Sequence, residues 1–254
     1  MKGVSRLKIL VLVKETFDTE TKIVLENSKK INNEGIKYII NPYDEFAIEE
    51  ALRIREKFGG EVVIYSVGRR ESEVTLRNGL ALGADKAKLI VSEKIDSITV
   101  SKLLAENITK EEFEIILSGW IAIDDNNAQV PARLSQLLDI PLVNVVTKID
   151  FSDDKIICHR EGDNTVEIIK VSPPAMIAVQ RGINEPRYPT VKNILQAKKK
   201  QIDLIISENN EDINRINITY QLPEVKKAGL IIDGSKPEKA VNILIQKLKE
   251  AKVL

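Results

Sequence analysis

The sequence predicts an α/β chain built on a doubly wound, mostly parallel sheet, with a β-hairpin excursion and a C-terminal extended arm plus helix. Three observations carry this expectation. Strand-length runs such as Ile9 to Val13 and Val62 to Val67 are apolar on both faces, as strands of a covered parallel sheet are. They alternate with helical patterns of about ten to fifteen residues, the rhythm of crossover units. After residue 150 that rhythm gives way to a hairpin signature.

Taken in order, Leu7 to Lys14 opens the core sheet. Thr19 to Ile40 breaks into short pieces around polar turns at Ser28-Lys29-Lys30 and Asn32-Asn33-Glu34-Gly35, which suits an excursion or hairpin better than a crossover helix. A helix then starts at Asn41, an N-cap residue, with Pro42 in its first position, Asp44 and Glu45 in its first turn and Gly59-Gly60 as its stop. Its apolar stripe is Ala47, Ala51, Ile54 and Phe58, widened by Ile48 and Leu52. Val62 to Val67 is the second strand, Glu71 to Leu82 a helix closed by Gly83, and Lys88 to Val91 the third strand. Ile98 to Asn107 is a helix, Phe113 to Leu117 the fourth strand, and Val130, Leu134, Leu137 and Leu138 mark a further helix before the strand Leu142 to Val146.

Lys155 to Arg160 and Thr165 to Val171 flank Glu161-Gly162-Asp163-Asn164 as a hairpin, and Pro173-Pro174 introduces the strand Ala175 to Val179. Residues 182–203 read as an extended, exposed connection. At the end, Ser235 and Glu238 fit a capping box ahead of a helix carrying Val241, Leu244, Ile245 and Leu248. The expected division is an α/β domain over residues 1–203 and an arm with its helix over 204–254, packing on a partner.

Composition narrows the function. The 254 residues carry 38 basic and 38 acidic side chains, so no net field draws the chain to nucleic acid or an anionic membrane. The tract Lys198-Lys199-Lys200 has no neighbouring aromatics and reads as solvated surface. Cys158 is the single cysteine, which excludes an internal disulfide and points to a reducing compartment. Apolar runs stay far below the roughly 20 residues of a membrane span, and no signal-like segment follows Met1 to Leu7. A cytoplasmic protein without stable membrane insertion is the expectation.

In an open α/β sheet, ligands bind beyond the carboxyl ends of the strands, where strand order reverses. Four places qualify: Val13-Lys14-Glu15, Asn41-Pro42-Tyr43-Asp44, Ser66-Val67-Gly68, and the loop from Gly119 to Gln129. The last delivers Ala122-Ile123-Asp124-Asp125-Asn126-Asn127-Ala128-Gln129 into a helix N-terminus, where backbone amides can hold phosphate. Gly-x-Gly-x-x-Gly and P-loop motifs are absent. Cys158 and His159 are neighbours on a strand, face opposite ways and cannot act as a nucleophile and base pair. Asp124-Asp125 is a poor metal pair because adjacent side chains diverge. No catalytic constellation is present, and Asn184-Glu185-Pro186-Arg187-Tyr188-Pro189 fits either a linker or a docking segment.

Four stretches now carry a resemblance. Asn41 to Leu52, Leu80-Ala81-Leu82-Gly83-Ala84-Asp85, Ala122 to Gln129, and Asn184 to Pro189 followed by Ala197-Lys198-Lys199-Lys200 resemble the electron-transfer flavoprotein β subunit, in that family's order and over almost the whole chain. The resemblance implies a Rossmann-like fold of the adenine-nucleotide-binding type and a heterodimer with an α subunit that makes most contacts to the redox-active FAD. It also implies AMP or a second FAD in this subunit. The implied nucleotide site is Leu12, Asn41, Pro42, Tyr43, Asp44, Val67, Asp124, Asp125, Asn126, Asn127, Ala128, Gln129, Val130, Pro131, Ala132, Arg133 and Leu134.

The family's recognition loop, which docks acyl-CoA and other dehydrogenases, matches Arg187 to Ala197, so that Arg187, Tyr188, Val191, Ile194 and Leu195 become partner-binding residues. Val191 takes the anchor position, where relatives often have leucine. Glu161 matches an acidic residue that pairs with the mobile FAD domain of the α subunit. Gly119-Trp120-Ile121 departs from the family's usual Gly-Lys/Arg-Gln, and Asn127 and Pro131 also differ. Ala128-Gln129-Val130 leans toward the bifurcating, NADH-oxidising branch, whereas Asn184 to Pro189 leans toward simple carriers. A stand-alone nucleotide sensor resembling the universal stress proteins is the reading from another class.

Overall fold

The structure is a computed structural model that describes residues 7–26, 30–32, 34–93, 95–207, 220–224 and 229–254. Ser28, Lys29 and Asn33, from the turns expected in the excursion, lie outside them. Two compact units result, one within Met1–Lys22 and Asn33–Ile216, the other within Ile23–Asn32 and Asn217–Leu254.

The first unit runs β1 (Lys8–Leu12), β2 (Glu15–Phe17), β5 (Tyr38–Ile40), α1 (Pro42–Phe58), β6 (Glu61–Gly68), α2 (Glu73–Leu82), β7 (Lys86–Val91), α3 (Ser97–Ile108), β8 (Ile115–Gly119) and α4 (Val130–Leu137). It continues with β9 (Leu142–Ser152), β10 (Lys155–Gly162), β11 (Thr165–Val171), β12 (Ala175–Val179), α5 (Val191–Lys199) and β13 (Ile202–Ile206). The second holds β3 (Leu25–Glu26), paired antiparallel with β4 (Lys30–Ile31), and α6 (Pro237–Glu250).

Strand order in the nine-stranded sheet is β11-β10-β9-β12-β8-β1-β6-β7-β13. All pairings from β9 to β13 across the sheet are parallel, while β10 runs antiparallel to both neighbours. From β1 the chain steps one way through β6 and β7, then returns to place β8 on the other side of β1. The carboxyl ends of β1 and β8 therefore flank the switch point, the place a ligand enters such sheets.

Alternation along β1 explains its continuous apolar run. Ile9, Val11 and Val13 pack with Ala47, Ile48, Ala51 and Leu52 of α1 and Leu76 and Leu80 of α2. Leu10 and Leu12 face the opposite layer, with Leu103, Leu104 and Ile108 of α3 and Leu134 of α4. Full burial of each large aliphatic side chain contributes about 1.5–3 kcal/mol, which is why both faces of a central strand must be apolar.

Several expectations hold in detail. Gly83 closes α2 at φ 131 and Gly59 closes α1 at φ 78, and β10 and β11 form the expected hairpin. Phe58 ends the α1 stripe at the surface, ring to ring with Phe151 at 4.9 Å.

Others are corrected. Residues 182–203 are not an extended connection: Thr190 caps α5 by accepting the Asn193 amide, and β13 joins the sheet edge beside β7. β9 does not stop at Val146; it passes a bulge at Val145, φ 59, and continues to Ser152. The capping box does not form, because the Ser235 hydroxyl donates to Asp233 and Lys236 is the N-cap. Among the described residues no helix is long and apolar enough to cross a membrane, and no cluster of His, Cys, Asp and Glu can hold a metal ion.

Candidate functional site

The switch point is held together by the first turn of α1. Both oxygens of the buried Asp44 carboxylate are used: Oδ2 accepts the Lys14 amide at 2.8 Å and Oδ1 the Gly119 amide at 2.9 Å. Asn41 occupies the N-cap position as expected, yet its side chain does not cap α1. Its Nδ2 donates to the Ile121 carbonyl at 2.9 Å and its Oδ1 accepts the Ile123 amide at 3.3 Å, so it splints the start of the loop. The Asn41 amide in turn donates to the Lys14 carbonyl. Burial pushes the Asp44 carboxyl up to about 7, against the pull of the Lys14 and Gly119 amides, the Asn41 side chain and the Lys14 charge.

Beyond β8 the loop turns through two left-handed residues, Asn126 at φ 49 and Ala128 at φ 53. Asp124 and Asp125, both exposed, brace it by accepting the amides of Asp125 and Asn127. Across the switch point, the Lys14 ammonium sits 2.7 Å from Asp124 Oδ1 and 3.0 Å from Asp125 Oδ2. Burial works against the Lys14 charge, but the two carboxylates outweigh it and raise its pKa.

Gln129 anchors the far end: its Oε1 accepts from the Ser97 hydroxyl and the Arg133 guanidinium, and its amide donates to Asn127. The N-cap residue of α4, Gln129, makes no side-chain hydrogen bond to the first turn, where the positive end of the helix dipole lies. Pro131 is buried in that first turn, and Ala132 and Arg133 are exposed. Leu12, Val67, Val130 and Leu134 belong to one apolar cluster beneath. An apolar cluster, a polar loop and a helix start whose cap residue makes no side-chain bond are together suited to a nucleotide.

Trp120 stands just outside the switch point, its indole N–H on Gln180 at 2.8 Å and its ring edge-on to Tyr43 at 6.1 Å. Cys158 is fully buried, and desolvation pushes its thiol up to about 12, while His159 lies 3.4 Å from Asp150 on the other face. That separation is the one expected of strand neighbours.

A second surface lies along residues 184–199. Asn184 donates to the Phe46 carbonyl and to Glu50, and Arg187 grips Glu49 through Nε at 2.7 Å and Nη2 at 2.9 Å, with Nη1 on Glu56 at 2.6 Å. The Glu49 and Glu56 hydrogen bonds hold the Arg187 pKa further above its already high value. The segment is thereby fixed to α1. Past Arg187 its apolar side chains face outward: Tyr188 is 93% exposed, Val191 76%, Leu195 56% and Ile194 40%. Glu161 is exposed beside the β10–β11 turn, opposite Val166.

A family model described as "Electron transfer flavoprotein domain" matches residues 29–206. The chain is 40% identical to the electron transfer flavoprotein subunit beta of Bacillus subtilis (strain 168), over 98% of this chain and 100% of that protein. It is 40% identical to the subunit of the same name from Syntrophomonas wolfei, over 96% of each, and 33% identical to that of Homo sapiens, over 97% of this chain and 98% of that one. The chain belongs to the electron transfer flavoprotein β-subunit family.

In this electron transfer flavoprotein chain the strand ends, the α1 start and the loop selected from sequence are brought together at one switch point. Arg187 differs from its neighbours Tyr188 and Val191, since its guanidinium is committed to α1. Sequence reasoning noticed Lys14 only as a strand-end position and missed its pairing with Asp124 and Asp125, 110 and 111 residues away. The signal available was a lone cation at one strand end and a carboxylate pair in the loop after another.

Proposed function

We propose that this chain is the β subunit of a heterodimeric electron-transfer flavoprotein that accepts electrons from dehydrogenases and passes them on through FAD shared with or held by an α subunit. It holds AMP or a second FAD at the β1/β8 switch point and works in the cytoplasm. The observation that supports this reading is that Asn41 and Asp44 tie the ends of β1 and β8 and the start of the loop together, while Leu12, Val67, Val130 and Leu134 share one apolar cluster, in a chain of this family.

The flavin, when bound, supplies the electron-transfer chemistry, and the protein supplies binding and orientation. Here the first turn of α4 and Arg133 address phosphate, Leu12 and Val67 offer apolar contact, and Asn41 and Asp44 hold the two strand ends in register. No side chain acts as acid or base. Tyr188, Val191, Ile194 and Leu195, presented by a segment that Arg187 fixes to α1, form the docking surface for dehydrogenases such as acyl-CoA dehydrogenases. Glu161 on the hairpin is placed to meet the α subunit.

The test is to co-produce the chain with its large subunit, denature the complex and quantify FAD and AMP per heterodimer. One FAD with one AMP is the expected result for a simple carrier. Two FAD, together with NADH oxidation, would favour the bifurcating reading to which Ala128-Gln129-Val130 leans. Absence of both nucleotides and of any complex would overturn the proposal and favour a stand-alone sensor.

A further inference from the structure

We propose that Lys14 is a positioning residue for the nucleotide loop: its ammonium neutralises the Asp124–Asp125 pair and so holds the loop in the conformation that accepts an anion. This deepens the nucleotide reading and rests on it for the ligand, though not for the loop.

The loop carries strain and charge that its own residues do not offset. It contains two non-glycine residues at positive φ, Asn126 and Ala128, a conformation that ordinary side chains adopt only when surroundings enforce it. It also carries two adjacent carboxylates, each accepting a loop amide and both within 3.0 Å of one ammonium. Left alone, those carboxylates repel each other and repel an incoming phosphate. Lys14 is the group that meets both, at 2.7 and 3.0 Å.

Lys14 is itself fixed at both backbone atoms that matter. Its amide donates to Asp44 and its carbonyl accepts from Asn41, the same two residues that hold Gly119, Ile121 and Ile123. One residue thus links the end of β1, the start of α1 and the loop after β8. With Lys14 in place the two carboxylates of the loop that leads into α4 are compensated; without it they are two uncompensated negative charges in that loop.

The experiment compares the full chain with Lys14→Gln, Lys14→Arg and the triple variant Lys14→Gln/Asp124→Asn/Asp125→Asn. AMP binding is measured by calorimetry across ionic strength, and amide hydrogen exchange over residues 122–130 is followed without nucleotide. Lys14→Gln should weaken AMP binding about tenfold and speed exchange of the loop amides. Its AMP affinity should rise with salt, because screening relieves repulsion, whereas that of the unaltered chain should fall. Lys14→Arg should stay within about threefold of the unaltered chain, and the triple variant should recover most of the lost affinity.

Unchanged loop exchange in Lys14→Gln overturns the proposal, as does failure of the triple variant to recover affinity. If the unaltered chain binds no nucleotide while Lys14→Gln still loosens the loop, the nucleotide reading fails and the positioning role stands.

Discussion

Asp44 Oδ1 accepts the amide of Gly119 at 2.9 Å across 75 residues of chain, and the contact exists because Gly119 has no side chain. A Cβ at that position would lie 2.5 Å from Tyr43 Cβ, 2.8 Å from the Tyr43 backbone carbon and 2.7 Å from Asp44 Oδ1. All three atoms belong to Tyr43 and Asp44 in the first turn of α1, and two of them are the Tyr43 Cβ and backbone carbon, so the clash cannot be relieved by a rotamer change. Gly119→Ala should cost about 1–3 kcal/mol, the usual scale of overpacking. Gly234→Ala, where an added Cβ meets nothing within 4 Å, is the control. Urea midpoints that coincide for the two variants would refute the close-approach argument.

The same carboxylate predicts a pH dependence. Its folded value, pushed up to about 7 by burial, lies above the ordinary aspartate value near 4. The folded chain therefore holds a proton that the unfolded chain releases between those pH values. The resulting stabilisation is fully present below pH ~4 and is lost as pH rises to about 7, with a slope of at most about 1.4 kcal/mol per pH unit. Glu111 acts in the opposite sense. Burial alone would raise its pKa, but Lys8, Lys88 and the Tyr65 hydroxyl outweigh that and lower it to about 2. Its contribution is present above the ordinary glutamate value and lost as pH falls toward 2. Unfolding free energy measured from pH 4.5 to 8 should decline less steeply in Asp44→Asn than in the unaltered chain. Parallel curves would mean that Asp44 keeps an ordinary pKa.

How much of the fold and site was legible depends on where each signal resides. β1, β6 and α1 announce themselves because their signals are local: Ile9 to Val13 is apolar on both faces, and the buried Ala47, Ala51 and Ile54 recur on one. α5 hides because its apolar residues point outward. Ala197 is the residue it buries, and its C-terminal carbonyls are met by Arg77 from α2, a tertiary contact that no local pattern reveals. The capping box failed for a related reason: Asp233, two residues before Ser235, competes for the hydroxyl. At the site, loops at strand ends were predictable from the fold rule, since they need only topology. The ion pair from Lys14 to the loop depends on which side chains meet across the switch point.

Arg187 yields a stability prediction that separates it from the exposed residues beside it. Its fork takes both oxygens of Glu49, whose side chain is only 8% exposed. Arg187→Ala would strip that carboxylate of its guanidinium, leaving it the residue 187 backbone amide at 3.2 Å, and would leave the segment tied to α1 by that amide and by Asn184. A loss of about 1–3 kcal/mol is expected, below the full cost of breaking a buried pair because the arginine is partly solvated. Arg187→Lys should recover less than half, since one ammonium cannot replace the two-pronged contact. Chemical denaturation of the three proteins decides it; equal stability of all three would show the ion pair to be idle.

Val191 should behave in the reverse way. It is 76% exposed in the first turn of α5, near Tyr188 and Leu195, so its replacement should move stability by no more than about 0.5 kcal/mol. If this face docks dehydrogenases, its anchor acts only in the complex. Val191→Asp should then slow reduction of the flavoprotein by its dehydrogenase without changing the melting temperature. Val191→Leu adds one methylene, worth about 0.8 kcal/mol when buried, or roughly fourfold in affinity, and should lower the apparent KM for the flavoprotein by about that factor while leaving kcat unchanged. Steady-state reduction assays with each variant at fixed dehydrogenase concentration supply the numbers. Rates indifferent to both substitutions would remove α5 from the docking surface, whatever the nucleotide content of the complex.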